Sequence, residues 1–407
     1  MHMLSSINRS EFLACPQLIR FDYARGQNGF EPTLLIKCNT LLLKYIVLGA
    51  PMQLAFAKCG GRLLYVLQIC DDGDRGCILW SVVERDEELN GIRGIAHGQA
   101  LVGFIFNELS VNVAWNDLVT AAISDHLSEL IDSASIGQID HSEIKLEAQT
   151  LLDKFHHEDE CAAWLKIKIT GKSEWHFIDN HFITADASSS LINLIDNDEG
   201  KHQEKLGIWL TDNLQPAGVY YSPQILKVPR TRELTDILLS HEFGATLIES
   251  KSISIFSRQN LPDRKKLGRD VSTHIGKAFT QLRGAIRTLK SGISVASPQG
   301  NVLSINREKP AHAIVLIPDL ALIEHHDTYG IQFMQDFMEA TGGFPHLLDI
   351  SELLRVVQAA EMISARGNTI TPMMAFDYYL MQRIQKAIAS ETLCIEVLLR
   401  FADNEAT

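Results

Sequence analysis

Residues 234–256 constrain this chain more than any other segment. Two apolar runs, 234–239 and 245–256, flank the short turn 241–244, and apolar runs of that length bounded by turn residues predict a β-hairpin. Residues two apart on a strand share a face, so Glu249 and Lys251 point one way and Ser250 the other. The preceding strand carries Asp236, and the hairpin brings its carboxylate beside Glu249. Two adjacent carboxylates on apolar strands repel and lose hydration, a costly arrangement without a cation or a shared proton. A divalent metal relieves that cost, and Mg²⁺ accepts a few carboxylates completed by waters and phosphate oxygens. A lysine beside the metal can orient or deprotonate a water and offset charge that develops on a phosphate. The competing reading is a surface ion pair between Glu249 and Lys251. Leu247, Ile253 and Ile255 on the same face speak for burial instead.

The rest of the C-terminal half supplies strands and helices to surround this hairpin. A basic loop, 257–270, leads into a long helix over 271–289. Residues 311–316 predict a strand, 328–340 a helix ending at Gly342-Gly343, and 345–350 another short strand. Ser351 is the expected cap of a helix over 352–365, with helices over 371–390 and 392–401 after it. Strands covered by helices make this an α/β domain. Upstream, residues 32–116 alternate short apolar runs with turns such as Cys59-Gly60-Gly61 and Asp71-Asp72-Gly73-Asp74. Segments 63–69, 77–83 and 100–106 read as strands, as does the apolar stretch 34–54. Helical spacing marks 118–133 and 142–155. Residues 162–170 and 175–183 read as a hairpin around Gly171-Lys172, and the polar run 196–205 reads as a loop. The expected division is a β-rich region over 1–120, an α+β accessory region over 121–224, and the α/β domain over 225–407.

Charge is unevenly spread. The chain carries 37 Lys and Arg against 50 Asp and Glu, a net charge of −13. Between Ile225 and Pro310, fifteen basic residues face seven acidic ones, so this stretch carries +8 and the remainder −21. A basic island in an acidic protein points to a local anionic partner, either a phosphate backbone or simply solvent over a charged helix face. Arg258, Arg264, Lys265, Lys266, Arg269, Lys277, Arg283 and Arg287 are the candidate phosphate contacts. Arg283, Arg287 and Lys290 fall on one helical stripe, and Ile275, Ala278, Leu282 and Ile286 on an apolar one. Such contacts hold nucleic acid without reading its sequence.

The segment RELTDIL at 232–238, LIESK at 247–251 and KAFTQLRGAIRTL at 277–289 together resemble the PD-(D/E)xK nuclease superfamily, in particular its Mrr-like and RecB-like branches. The resemblance runs over about residues 227–383 and leaves the first 220 residues unexplained. It implies a restriction-endonuclease-like mixed sheet flanked by helices, joined to a β-rich α+β N-terminal region. It further implies Mg²⁺ or Mn²⁺ held by Asp236, Glu249 and Ser250, with Lys251 assisting the nucleophilic water. Glu233 resembles the extra acidic residue of some branches, and Gln281 the helix glutamine of others. Thr235 stands where the nominal motif has proline, and Ala285 where the RecB-like branch has tyrosine. The implied activity is metal-dependent hydrolysis of DNA phosphodiester bonds, in a microbial defence or restriction role. A nuclease fold kept only for nucleic-acid binding or scaffolding is the alternative. Restriction-like folds often work as homodimers, although no feature here demands one, and the N-terminal region is free to receive a protein partner or effector.

Other clusters are weaker. His156-His157-Glu158-Asp159-Glu160 lacks the spacing that puts two ligands on one helix face, and Glu324-His325-His326-Asp327 reads as a loop. Trp164 and Trp175 read as core. The sequence has no P-loop signature, no apolar run near the roughly 20 residues that span a bilayer, and no basic-then-apolar leader in residues 1–17. Its seven cysteines are scattered without a CxxC pair. A protein of a reducing cytoplasm is the expectation.

Overall fold

A computed structural model describes residues 4–26, 29–71, 76–121, 125–137, 141–155, 164–184, 189–214, 218–226, 231–258, 260–367 and 369–396. It is a mixed α/β protein of two compact units. The first comprises Met1–Asn180, Asn193–Ile195 and Ile255–Arg264, the second His181–Ile192, Asp196–Ser254 and Lys265–Thr407. The His156 to Glu160 cluster, the turn residues Asp72 to Asp74, and Lys227 and Arg230 of the basic island lie outside the described residues.

The first unit contains α1 (Ser6–Ala14), β1 (Leu18–Gly26), β2 (Gly29–Lys37), α2 (Thr40–Val47), β3 (Met52–Cys59), β4 (Arg62–Ile69), β5 (Cys77–Val82), α3 (Asp86–Ala96), β6 (Leu101–Phe106), β7 (Asn112–Thr120), α4 (Asp125–Asp132), α5 (His141–Lys154), β8 (Leu165–Gly171) and β9 (His176–Phe177). The strands form one sheet in the order β1-β2-β6-β7-β8-β3-β4-β5, with β9 also on β7. Helix α5 packs Ile144, Ala148, Leu151 and Leu152 onto Ala55, Ala57, Leu64 and Val66. Helix α3 lies close to β1, and a Cβ added at Gly91 would stand 2.7 Å from the carbonyl oxygen of Asp22, so only glycine fits that contact.

The second unit contains β10 (Asn180–Ile183), β11 (Ser189–Ile192), α6 (Glu199–Asp212), β12 (Gly218–Tyr221), β13 (Gln224–Ile225), β14 (Arg232–Glu233), β15 (Ile237–His241), β16 (Gly244–Ser250), α7 (Arg264–Lys290), β17 (Val295–Ala296), β18 (His312–Ile317), α8 (Ile331–Thr341), β19 (Phe344–Asp349), α9 (Ile350–Arg366) and α10 (Pro372–Ala389). Its main sheet runs β12-β15-β16-β18-β19. Strands β12, β15 and β16 are antiparallel neighbours, whereas β18 and β19 run parallel to β16. Helices cover both faces. Gln203 of α6 bonds Ser250, while Gln281 of α7 shares a cavity with the adjacent Glu249. Neighbouring residues of a strand point to opposite faces, so α6 and α7 lie on opposite sides of the sheet.

Several local expectations change. The stretch 34–54 includes helix α2 between two strands, because the Asn39 side chain accepts from the Leu42 amide and starts a helix there. All but the ends of α2 are buried, and a run buried on every side has no period to separate helix from strand. Residues 118–120 end β7, and the helical part of that segment is α4. The segments around Gly171-Lys172 do not form a hairpin with each other. Strand β8 pairs with β3 and β7, and β9 pairs with β7. Residues 196–205 hold the start of α6, capped by Asp198, which accepts from the Lys201 amide at 3.1 Å. Strand β16 stops at Ser250, α7 begins at Arg264 within the expected loop, and Asp349 rather than Ser351 caps α9. Residues 392–396 are not helical, and 397–401 lie outside the described residues. Trp164 and Trp175 are buried, as core residues should be. Among the described residues no helix is long and apolar enough to cross a membrane.

At the end of the main sheet away from Asp236, imidazoles collect. His312 Nδ1 lies 2.9 Å from His346 Nε2, and His312 Nε2 lies 3.3 Å from Asp377 Oδ1. His241 is 4% exposed, and neither ring nitrogen has a hydrogen-bond partner in the structure. Burial, aided by His312 against the opposing pull of Asp377, lowers the His241 imidazole to about 4. The unfolded chain takes up a proton near pH 6.5 that folded His241 refuses, so its contribution is intact above that pH and is lost as pH falls toward 4. Replacing His241 by Leu removes two unsatisfied buried atoms and is expected to stabilise the protein by about 1 kcal/mol at pH 8. That advantage should widen on acidification by about 1.4 kcal/mol per pH unit below pH 6.5, measured as denaturant midpoints of the two proteins from pH 8 to pH 5.

Candidate active site

The hairpin β15–β16 places Ile237 opposite Ile248, so Asp236 and Glu249, the next pair outward, meet at its open end. The Ser250 amide donates to Asp236 Oδ2 at 2.7 Å. Lys251 Nζ donates to Glu249 Oε2 at 2.8 Å and lies 3.8 Å from Asp236 Oδ2. The backbone of Lys251 is fixed as well, its amide donating to the Leu316 carbonyl on β18 at 2.8 Å. Glu249 is 2% exposed, which sets aside the reading of Glu249 and Lys251 as a surface ion pair. Leu247, Ile253 and Ile255 are buried as well.

Burial dominates the electrostatics. Desolvation, then the charge of Glu249, raises the Asp236 carboxyl to about 7, against the opposing effects of Lys251 and the Ser250 amide. Glu249 is raised by burial too, with Lys251 opposing. Burial works against the Lys251 ammonium, but Glu249 and Asp236 outweigh it and hold its pKa above the usual lysine value. At neutral pH Lys251 is therefore a fixed positive charge, suited to orienting a water or a phosphoryl oxygen and poorly suited to removing a proton.

A cavity of about 120 Å³ opens at this point, lined by Glu233, Thr235, Asp236, Glu249, Gln281 and Ala285, among others. The structure thus brings together all three motif residues, the acidic Glu233 and the helix glutamine. Ala285, at the tyrosine position, contributes no hydroxyl to the cavity wall. Ser250 behaves differently: its hydroxyl is bonded by Gln203 Nε2 at 3.1 Å on the far face, so it reaches the carboxylates through its backbone.

Among the described residues no three His, Cys, Asp or Glu side chains gather around one point. A cation here rests on Asp236 and Glu249, with waters and substrate oxygens for the remainder. That set fits Mg²⁺ or Mn²⁺, which take hard oxygen donors and keep several waters. The raised carboxyl pKa values fit it as well, since a cation replaces the proton that the buried pair otherwise retains.

Two residues near the site were hidden by the reading of 196–205 as a loop. Gln203 also bonds the Leu316 carbonyl at 3.0 Å, tying α6 to β16 and β18. Glu204 accepts from the Tyr221 hydroxyl at 2.7 Å, and its carboxyl is raised by burial, with Glu233 adding to the shift and Lys251 opposing it. The signal for this helix was the Asp198 cap followed by Leu206 and Leu210, four residues apart.

The candidate phosphate contacts separate. Arg258 and Arg264 belong to the first unit, where Arg264 Nη1 pairs with Asp71 Oδ2 at 2.9 Å. Lys265, Lys266 and Arg269 are exposed on the first turns of α7. Lys277 is exposed one turn before Gln281, on the same side of the helix. Arg283 and Arg287 turn the other way: the Arg283 guanidinium lies 5.6 and 5.4 Å from the ring centres of Phe333 and Phe337, and Arg287 approaches the Ala340 carbonyl. Their stripe packs along α8 because guanidinium over an aromatic face and aliphatic stems on apolar surface are both favourable.

Comparison of the chain with protein-family models, with curated proteins and with solved structures gives no match.

Without divalent cation, the Asp236–Glu249 repulsion destabilises the fold as pH rises from about 3.9, the unfolded value, toward about 7. Asp236→Asn keeps an acceptor for the Ser250 amide and removes one charge. In chelator, it is expected to be more stable than wild type by on the order of 1–2 kcal/mol at pH 8 and by less at pH 5, read from urea unfolding.

Proposed function

We propose that the second unit is a metal-dependent nuclease that hydrolyses DNA phosphodiester bonds, built on a restriction-endonuclease-like fold. The observation that carries this reading is the buried Asp236–Glu249 pair with Lys251 2.8 Å from Glu249 Oε2, at the mouth of a cavity that also receives Glu233 and Gln281. The mixed five-stranded sheet with helices on both faces agrees with the fold that the sequence resemblance implies. Exposed Lys277 on the Gln281 side of α7 adds a phosphate contact close to the carboxylates.

A bound Mg²⁺ or Mn²⁺ supplies charge compensation for the carboxylates and Lewis acidity toward a phosphoryl oxygen. The protein's own residues do the rest. Asp236 and Glu249 hold their oxygens at one place because the hairpin register and the Ser250 amide fix them. Lys251 stays charged, orients the attacking water and stabilises negative charge that builds on the phosphate. Gln281 offers an amide to orient a water or a phosphate oxygen. Gln203 keeps the end of β16 against β18, and so keeps Ser250 and Lys251 in register. The first unit is assigned a partner or effector role, and the whole suits microbial defence or restriction.

Cleavage of linear, supercoiled and single-stranded DNA with Mg²⁺ or Mn²⁺ tests the reading. Wild type is expected to cut, and Asp236→Ala and Lys251→Ala to lose at least about 100-fold in rate. Salt-sensitive DNA binding without cutting by wild type would instead assign a scaffold that retains the fold. In the same assay Lys277→Ala is expected to weaken DNA binding and reduce its salt dependence by about one phosphate contact. Arg283→Ala, which loses its ring contacts, should lower stability and leave the salt dependence unchanged.

A further inference from the structure

Helix α7 carries three glycines, Gly268, Gly276 and Gly284, and they are not alike. A Cβ added at Gly268 would stand 2.7 Å from the Leu322 carbonyl oxygen, so packing requires glycine there. At Gly276 and Gly284, outside the glycine's own stretch of helix, no atom of the described residues lies within 4 Å of that position. Neither residue has a positive φ, so the backbone does not require glycine either. An open glycine inside a helix is less stable than alanine at the same place.

Gly284 differs from Gly276 in what lies beside it. Gln281 and Ala285, on either side of it in the chain, line the cavity that holds Asp236 and Glu249. Gly284 lies about 60° round the helix from Gln281, on the side away from buried Ala285. Exposed Lys277 falls within about 20° of Gly284 and about 10 Å along the axis, with Gln281 between them. The solvent side of the cavity wall is therefore bare helix backbone with one lysine beside it. Gly276 is turned about 140° from Gln281, away from the cavity.

Glycine serves where the chain turns left-handed, where two elements pack closely, or where a ligand approaches the backbone. The first two do not apply at Gly284, and its place beside the carboxylate cavity fits the third. A lysine on one side and a cation site on the other suit a ligand with a polyanionic backbone. We infer that the sugar–phosphate backbone of the cleaved strand lies directly on α7 at Gly284, with a neighbouring phosphate at Lys277. A side chain at position 284 lifts the strand away from the carboxylates. This rests on the nuclease reading of Asp236, Glu249 and Lys251.

The test compares the full chain with Gly284→Ala, Gly284→Leu and Gly276→Ala. Urea midpoints, binding of single-stranded and duplex DNA oligonucleotides in Ca²⁺, and their cleavage in Mg²⁺ are read on the same samples. Both alanine variants are expected to be more stable than wild type, because each replaces an open helix glycine. Lower activity in Gly284→Ala is then not a folding defect. Gly284→Ala should cut about tenfold more slowly and Gly284→Leu at least about 100-fold, since a misplacement near 1 Å costs that much. Binding should fall in the same order, and Gly276→Ala should bind and cut as wild type does. Wild-type cleavage by Gly284→Leu, or equal losses in Gly284→Ala and Gly276→Ala, would overturn the inference and leave the nuclease reading standing. A wild type that binds without cutting overturns the nuclease reading, and the binding series then decides whether a strand lies on Gly284. A wild type that neither binds nor cuts overturns both.

Discussion

Two carboxylates held side by side out of water are the constraint on which the second unit turns. Asp236 immediately precedes β15 and Glu249 sits on the adjacent strand β16 of an apolar sheet, and both are held: one by the Ser250 amide, the other by Lys251. In such a place the charged forms are disfavoured by desolvation and by each other, and a single lysine sets one positive charge against two carboxylates. The protein retains an arrangement that lowers its own stability at neutral pH. Groups held in that condition collect at sites of chemistry, because a ligand that relieves the strain gains the energy the fold gave up.

The surrounding architecture reads as support for that point. The hairpin register makes Asp236 and Glu249 opposite neighbours. Parallel strand β18 receives the Lys251 amide where β16 has ended, and so extends the fixed backbone one residue beyond the strand. Helix α7 closes the Glu249 face with Gln281, and α6 closes the Ser250 face with Gln203. The sheet is thus clamped from both sides at its carboxylate end. The opposite end carries the buried imidazoles of His241 and His346, which burial holds toward their neutral forms. Acid-side and base-side penalties are therefore placed at opposite ends of one sheet.

The hairpin and its motif were legible in the sequence because their signals are local: apolar runs of strand length, a short turn, and period-two spacing of Glu249 and Lys251. The long helix was legible through its apolar stripe at Ile275, Ala278, Leu282 and Ile286, all buried. Helix α2 was not, since Leu41 through Ile46 are buried on every side and leave no polar face to mark a period. Helix α6 was not, because its first turns are polar and its apolar residues come late. The roles of the basic residues depended on distant partners. Arg264 finds Asp71 across 193 residues, and Arg283 finds the rings of α8. A charge count sees neither, so it overstated the positive surface open to a polyanion.

The central claim is that the Asp236–Glu249 pair is built to be relieved by a divalent cation. Calorimetric titration of Mn²⁺ into metal-free protein, with wild type, Asp236→Asn and Glu249→Gln compared at pH 8 and pH 6, tests it directly. The expected result is single-site binding by wild type, weaker at pH 6 and accompanied there by proton release, because the cation must displace a proton from carboxyls raised toward neutrality. Both variants should lose that binding. Equal Mn²⁺ affinity in all three proteins, or no binding by wild type at pH 8, would contradict it.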